Sequence, residues 1–208
     1  MAADTATRGH ARQRLLDAAE SLFASHGAEA ISLRQVNAAA GVSPGILHYH
    51  FGSREILLHE LINRHLGALM TERAALLEPM LTRDKPPLRD VVAALVNPFA
   101  RLALETGEPG ARYVGFFSRL HSDRSAALEE AMQRYAGVDE NLRSLLSRAL
   151  GNPDPADLDF KLSMATHAML QALTELAQRD EPGRATSRET AMLIDFISDG
   201  LAGGRNHG

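Results

Sequence analysis

Residues 32–54 read SLRQVNAAAGVSPGILHYHFGSR, and this stretch decides the fold of the N-terminal part of the chain. Ser32, with Gln35 three residues later, forms the capping-box pattern that starts a helix. Gly41 ends this helix, because glycine accepts a positive φ that other residues resist. The serine-proline pair at 43–44 is typical of a second helix start, with the serine as cap and the proline in the first turn. The stretch therefore predicts two short helices joined by a tight turn.

The second of these helices has an inner and an outer face. Leu47 and Phe51, four residues apart, should point to the core. The outer face combines small residues, hydrogen-bond donors and an aromatic ring, in Pro44, Gly45, His48, Tyr49 and His50. Two helices joined in this way seat the second one in the major groove of DNA. We therefore expect Tyr49, with Pro44 and Gly45, to meet base edges or thymine methyl groups.

This stretch resembles the DNA-binding head of the tetracycline-repressor (TetR) family of bacterial transcription regulators. The family pattern is an amphipathic first helix, a Thr/Ser-rich second helix, an Ala-Gly-Val-Ser turn and an aromatic-rich recognition helix, followed by a Ser-Lys-Glu helix start. Here the corresponding segments are 15–23, 32–40, 41–43, 47–51 and 53–55, and the resemblance covers roughly residues 10 to 60. Three positions depart from the pattern. His48 stands in place of the usual Tyr, Asn37 of Ala and Arg54 of Lys, and these changes bear on which operator is read.

The resemblance implies an all-α fold with two parts. Residues 1–52 would form a three-helix helix-turn-helix domain, and residues 53–203 a larger helical domain for effector binding and dimerisation. Helix 4, from 53 to about 81, would belong to both parts and link them. Residues 204–208 are expected to be a disordered tail.

Caps and helix breakers predict the remaining helices, about nine in total. The first helix should span about 12–25. Pro98 should bend a helix over 88–105. The later helices are predicted at 111–121, at 125–150 with a kink at Gly137, at 154–178 and at 187–201.

Charge is the weakest support for DNA binding. The net charge is −4, and residues 1–65 contain six Arg against six Asp or Glu, although phosphate-binding domains are usually basic. The positions of the cations favour binding all the same, since Arg34 and Arg54 lie near helix starts. We expect both, with His48 and His50, to hold phosphates. The complete predicted DNA-binding set is Ser32, Arg34, Ser43, Pro44, Gly45, His48, Tyr49, His50 and Arg54.

Composition excludes several other classes of protein. The 208 residues include no cysteine, which rules out disulfides and thiolate metal sites. No segment reaches the ~18 apolar residues of a membrane span, and the first residues lack the apolar stretch of a signal peptide, so a cytoplasmic location is expected. His48 and His50 lie two apart on a helix and cannot chelate a metal together. No catalytic motif or phosphate loop occurs, so neither an enzyme nor a cofactor is expected.

The last two helices carry an apolar stripe suited to dimerisation. The spacing alternates between four and three residues, as in packed helix pairs. In the family, the two C-terminal helices pair with their symmetry mates as a four-helix bundle. The predicted interface is Leu158, Leu162, Ala165, Met169, Ala172, Leu176, Leu193 and Ile197. The alternative is that this stripe serves only the core of the single chain.

The resemblance also implies a pocket for a small lipophilic effector in the larger domain. Such pockets are mostly apolar with a few fixed polar groups. The candidates are Met70, Phe99, Arg112, Phe116, Phe117, His121, Met164 and His167. Ordinary core packing is the alternative for each of them.

Together these patterns predict a homodimeric, ligand-responsive transcription regulator. It would bind a palindromic operator as a repressor and be released by a small hydrophobic effector. The alternative is a helical protein-interaction module without DNA binding, which the neutral charge of the head would suit.

Overall fold

The computed structural model describes residues 2–43, 45–179 and 187–203, and it is helical throughout these ranges. Ten α-helices occur there, one more than predicted. They are α1 (Ala2–His26), α2 (Leu33–Ala39), α3 (Ile46–Phe51), α4 (Arg54–Leu77), α5 (Leu88–Glu105), α6 (Glu108–Ser122), α7 (Ala126–Gln133), α8 (Ala136–Leu150), α9 (Pro155–Ala177) and α10 (Ser187–Ala202). A 3₁₀ turn, Glu78–Met80, follows α4. No described helix is long and apolar enough to cross a membrane.

The head consists of α1, α2 and α3 around a small apolar core. Leu15, Phe23, Val36, Leu47 and Phe51 are all buried in it. The predicted capping box is present: the Ser32 N–H donates to Gln35 Oε1 at 2.8 Å, and the Gln35 N–H donates to Ser32 Oγ at 3.3 Å. Gly41, at φ +61°, ends this segment as predicted.

The start of α3 differs from the prediction. The helix begins at Ile46 with Gly45 in the cap position, and not after a Ser43 cap. Instead, the Ile46 N–H donates to the Ser43 carbonyl at 3.1 Å, which closes a turn before the helical ladder starts at Gly45. Pro44, the predicted first helical residue, lies outside the described residues.

Helix α4 joins the head to the body. Its predicted cap is present, because Ser53 Oγ accepts from the Ile56 N–H at 3.3 Å. The buried face runs from Leu57 through Leu66 to Leu77 and packs on α1 and α3 at one end and on α5, α7 and α8 further along. The helix therefore belongs to both parts.

The body is a bundle in which α6 lies between α1 and α9. The bounds of α5 match the prediction, with Pro98 inside the helix. The predicted kink at Gly137 is wrong: the chain breaks at Arg134 and Tyr135, and Gly137 is the second residue of α8. Tyr135, at φ −114° and ψ 17°, leaves the helical region and separates α7 from α8.

Candidate DNA interface, cavity and subunit surface

Helix α3 presents the two faces expected from its sequence. Leu47 and Phe51 are buried, whereas His48 is exposed and Tyr49 has 68% of its surface exposed. The half-buried His50 ring meets the Tyr49 ring edge-on, with 5.3 Å between centroids. An exposed tyrosine on a helix whose other face is anchored in a core is available to a partner.

Asn37 fixes α3 against α2. This buried side chain donates from Nδ2 to the Leu33 carbonyl at 3.1 Å and accepts at Oδ1 from the Leu47 N–H at 3.3 Å. The bond to Leu47 satisfies one of the N–H groups that a helix start leaves without an intrahelical partner. The departure from the family pattern at Asn37 therefore has a role inside the head, besides the one in operator choice that the sequence suggested.

The structure gives Arg54 an internal role that sequence reasoning missed. Its guanidinium donates to the carbonyl oxygens of Ala28 at 2.9 Å, Glu29 at 3.3 Å and Ile31. These carbonyls belong to the segment between α1 and α2, which has no helical ladder to satisfy them. Arg54 thus holds this segment, and the phosphate contact expected of it stays a prediction.

The other residues predicted to contact DNA differ in whether their side chains already bond to other described residues. Arg34 is exposed, and its side chain has no hydrogen bond or ion pair with any other described residue. Ser32 already bonds within the helix cap, because its hydroxyl donates to Gln35 Oε1 at 2.7 Å. Ser43 and Gly45 are exposed beside α3.

The body contains a cavity of about 830 Å³ between α4 and α9. Six of the eight predicted pocket residues line it, namely Met70, Phe99, Phe117, His121, Met164 and His167. The remaining apolar wall includes Leu95, Leu120, Leu128, Met132, Leu142 and Leu162. The volume and the apolar lining suit a small organic molecule.

Two predicted pocket residues, Phe116 and Arg112, lie away from this cavity. Phe116 is fully buried, with its ring 6.4 Å from that of Phe23 and 6.1 Å from that of Tyr113. Since neighbouring residues on a helix point about 100° apart, Phe117 faces the cavity and Phe116 faces α1. Neither residue therefore lines this cavity.

Arg112 instead joins a group of charged side chains between α1, α4 and α6, here called the Glu20 cluster (Asp17, Glu20, Arg64 and Arg112). Arg64 donates to Glu20 Oε2 at 2.9 Å and to Asp17 Oδ1 at 2.6 Å. Arg112 donates to Glu20 Oε1 at 3.2 Å. Burial raises the pKa of the Glu20 carboxyl, although both arginines act to lower it. The cluster links the head to two helices that line the cavity.

Arg73 lies in the cavity wall and was also missed. It is only 4% exposed, and its Nη1 lies 3.4 Å from Asp139 Oδ1. The guanidinium carbon sits 5.7 Å from the centre of the Phe99 ring. Burial lowers the pKa of Arg73, and Asp139 opposes this. The sequence signal was a cation on the apolar face of α4, in step with Met70 and Leu77.

Most of the predicted dimer stripe is turned inward, and its role as the subunit contact stays a prediction. Leu158, Ala165, Met169, Leu193 and Ile197 are buried in the chain itself. Leu162 and Ala172 are half-buried against the same core, and Leu176 is also half-buried. The reason is that α9 already packs on α5, α6, α8 and α10.

A different apolar surface remains open on the last two helices. Phe160 is 69% and Phe196 70% exposed, and Met164 and Met192 are exposed beside them in sequence at four-residue spacing. This set is called the outer face (Phe160, Met164, Met192 and Phe196). Exposed large apolar residues in such number mark interaction surfaces.

Metal chemistry finds no support in the described residues, where no group of three or more His, Asp or Glu side chains could hold an ion. The candidate functional features are the exposed face of α3 in the head and the cavity in the body.

Comparisons with known proteins agree with this arrangement. A family model described as "Bacterial regulatory proteins, tetR family" matches residues 15–61. A second, "Tetracyclin repressor-like, C-terminal domain", matches residues 93–204. Among curated relatives, the "HTH-type transcriptional regulator BetI" of Rhizobium meliloti (strain 1021) is 30% identical over 187 residues, which cover 90% of this chain and 87% of the relative.

Two further comparisons concern a shorter stretch of sequence and the fold. The "HTH-type transcriptional repressor KstR2" of Rhodococcus jostii (strain RHA1) is 38% identical over 66 residues, 32% of each chain. The crystal structure of Mycobacterium smegmatis AmtR superposes with a TM-score of 0.60 at 18% identity, over 92% of this chain and 86% of the other. The chain belongs to the TetR family of bacterial transcription regulators, which bind DNA and are not enzymes.

Proposed function

We propose that this regulator is a homodimeric repressor of the cytoplasm, which binds a palindromic operator and releases it when a small lipophilic effector enters the cavity. The observation that carries the proposal is the exposed Tyr49 on α3, whose opposite face is locked in the head by Leu47 and Phe51. A rigid helix with an exposed aromatic and donor face suits the major groove. Tyr49 and Gly45 would meet bases, and Arg34, His48 and His50 would meet phosphates.

Dimerisation would use the outer face. One recognition helix reads few base pairs, so a two-fold dimer is needed to read an inverted repeat. Phe160 and Phe196 are aromatic anchors of the kind that dominate the energy of interfaces. The outer face thus replaces the inward stripe as the proposed subunit contact.

Effector binding would reach the head through α4 and α6. Arg54 and Arg73 lie nineteen residues apart on α4, about 28 Å along a helix that rises ~1.5 Å per residue. Arg73 lies in the cavity wall, whereas Arg54 holds the segment before α2. Helix α6 adds a second route, since Phe117 lines the cavity and Arg112 binds Glu20 of α1.

An effector acts only if it binds the DNA-incompetent state more tightly. A coupling of roughly 1–3 kcal/mol would weaken operator affinity about 5–150-fold.

Selection of bound duplexes from a random DNA pool, at near-physiological salt, tests the proposal. We expect an inverted repeat to be enriched by the purified full-length protein. Absence of any enriched motif at every salt concentration would contradict the proposal and favour the protein-interaction module. A motif without two-fold symmetry would contradict the dimeric mode of reading.

A further inference from the structure

Arg73 is a buried cation with too few partners. A guanidinium offers five N–H donors. Within the described part of the chain, Nη1 meets Asp139 at 3.4 Å and the Met70 sulfur at 3.8 Å, and Nε is buried without any acceptor. A strong charge-assisted bond is nearer 2.7–2.9 Å, so the pair with Asp139 is a loose one. Buried polar groups without partners are rare and call for an explanation.

A second arginine of this wall, Arg143, shows the contrast. Arg143 Nε donates to Asp159 Oδ1 at 2.7 Å, and Glu140 lies 3.6 Å from its Nη1. Arg143 is also half-exposed, so water can satisfy its remaining donors. Arg73 has neither resource, although both residues line the same cavity.

One part of the wall is buried and apolar. Met70 comes from α4, Leu95 and Phe99 from α5, Phe117 from α6 and Leu142 from α8, and all five are buried lining residues. The polar lining elsewhere includes the carboxylates Glu129 and Asp159, and Asp159 is paired with Arg143. A ligand against the buried part meets hydrocarbon and aromatic surface and one under-partnered guanidinium. Because guanidinium geometry matches carboxylate oxygens, the missing partner is an anion with two acceptors.

We propose that the cavity takes an amphipathic carboxylate, whose head group pairs with Arg73 and whose hydrocarbon part lies against Phe99, Phe117 and Leu142. This inference rests on the proposed effector cavity and names the chemical class of its ligand. Asp139 does not favour a cationic ligand, because Arg73 already shares that carboxylate and Arg143 of the next turn of α8 lies beside it. The lowered pKa of Arg73 agrees with a charge that burial disfavours and that an incoming anion would stabilise.

Titration calorimetry on the full-length protein without DNA tests this inference. The three probes share a ten-carbon chain and differ in the charge of the head group. The probes are decanoate, decanol and decyltrimethylammonium. We expect decanoate to bind with one site per chain and more tightly than either of the others. Arg73→Met keeps an unbranched side chain and removes the charge, and it should weaken decanoate binding on the order of tenfold to a hundredfold with little effect on decanol.

Two other variants provide further tests of the inference. Arg89→Gln is the matched control: Arg89 is exposed, pairs with Asp195 at 2.7 Å and does not line the cavity, so this variant should bind decanoate like the wild type. Arg73→Lys retains the charge but not the two-pronged geometry, so it should bind with intermediate affinity, and it replaces Arg73→Met if that variant does not fold.

The opposing results are distinct. Tightest binding of decyltrimethylammonium, equal binding of all three probes, binding of none, or full affinity of decanoate for the charge-removed variant would each overturn the inference. These results would leave the selection of an operator unaffected. Conversely, decanoate binding by a protein that selects no operator would contradict the proposed repressor and leave the ligand class standing.

Discussion

Arg54 Nη1 donates to the carbonyl oxygen of Ala28 at 2.9 Å, so the first residue of α4 holds the segment that leads from α1 into α2. The same side chain reaches Glu29 and Ile31. One guanidinium and three backbone carbonyls therefore hold the junction between head and body, in addition to the Glu20 cluster.

Removing this guanidinium should destabilise the protein. We expect Arg54→Ala to lower the free energy of unfolding by roughly 1–3 kcal/mol, because three carbonyls lose a charged donor. Arg54→Lys should also destabilise, since an ammonium cannot span all three acceptors. Urea denaturation measures both effects.

Arg34→Ala is the matched control for Arg54. Arg34 is exposed and unpaired among the described residues, so its loss should leave stability within about 0.5 kcal/mol. It should reduce the salt slope of DNA affinity by about one unit. A reduced slope with unchanged stability in Arg54→Ala instead would restore the phosphate role for Arg54.

Tyr49→Ala should reduce sequence discrimination and spare the fold. The ring is mostly exposed and contributes little to the core. Loss of a base contact worth roughly 1–3 kcal/mol should narrow the ratio of operator to random-duplex affinity about 5–150-fold. Tyr49→Phe separates the ring from the hydroxyl. An unchanged ratio in the alanine variant would remove Tyr49 from the readout.

Phe160→Ser and Phe196→Ser should each weaken the dimer at least about tenfold, because interface aromatics commonly contribute well over 1 kcal/mol. Sedimentation over a range of protein concentrations measures the dissociation constant. Leu158→Ala should behave differently, losing about 2–5 kcal/mol of folding stability through a core cavity while its folded fraction still dimerises. The reverse pattern would return the subunit contact to the inward stripe.

Two glycine-to-alanine changes should have opposite signs. A Cβ at Gly110 would lie 1.9 Å from the Leu102 carbonyl oxygen and 2.0 Å from Thr106 Oγ1, so Gly110→Ala should destabilise by roughly 1–3 kcal/mol. A Cβ at Gly137 meets nothing within 4 Å inside α8, so Gly137→Ala should stabilise by roughly 0.5–1 kcal/mol. Thermal unfolding of both variants checks this; a stabilised Gly110→Ala would mean that the α5–α6 corner adjusts freely.

His65 should lower the free energy of unfolding as the pH falls into the mildly acidic range. Its ring lies edge-on to Tyr113 at 4.7 Å, and burial, helped by Arg64, lowers its pKa below 6.5. The unfolded chain therefore takes up the proton at higher pH than the folded one. This contribution is complete above pH 6.5 and is lost as the pH falls through the folded value.

The difference between wild type and His65→Gln isolates this effect. Burial raises the pKa of Glu20 and of Asp139, which opposes the trend, but both groups are present in both proteins. Between about pH 7 and pH 5, the wild type should lose more unfolding free energy than the variant. Parallel pH profiles would mean that His65 titrates alike in both states.

Local signals in the sequence predicted much of this fold. Ser32 and Ser53 cap their helices with side chains a few residues from their targets, so a short window contains all the information. The bounds of α5 follow from the prolines before Leu88 and the glycine after Thr106. In such cases the residue types and their spacing are enough to predict where a helix begins and ends.

The mistakes arose where a distant partner decides. At the start of α3, the Leu47 N–H donates a hydrogen bond to Asn37, which lies ten residues earlier in the chain. The stripe from Leu158 to Leu176 has the right period for packing, but the period does not say whether the neighbour is the same chain or a second one. No local pattern singled out Arg73, because its place in the cavity wall depends on helices far away in the sequence.

The Glu20 cluster also limits how freely the two parts of this regulator can be exchanged. The head supplies the buried carboxylate, and the body supplies Arg64 and Arg112. A foreign head without acids at this place would leave Arg64 without its partners and Arg112 with only Glu108 of its own helix, a cost of roughly 3–5 kcal/mol by the usual measure of broken buried pairs. The two parts are therefore not interchangeable modules, and a working chimera would have to inherit Glu20 together with its two arginines.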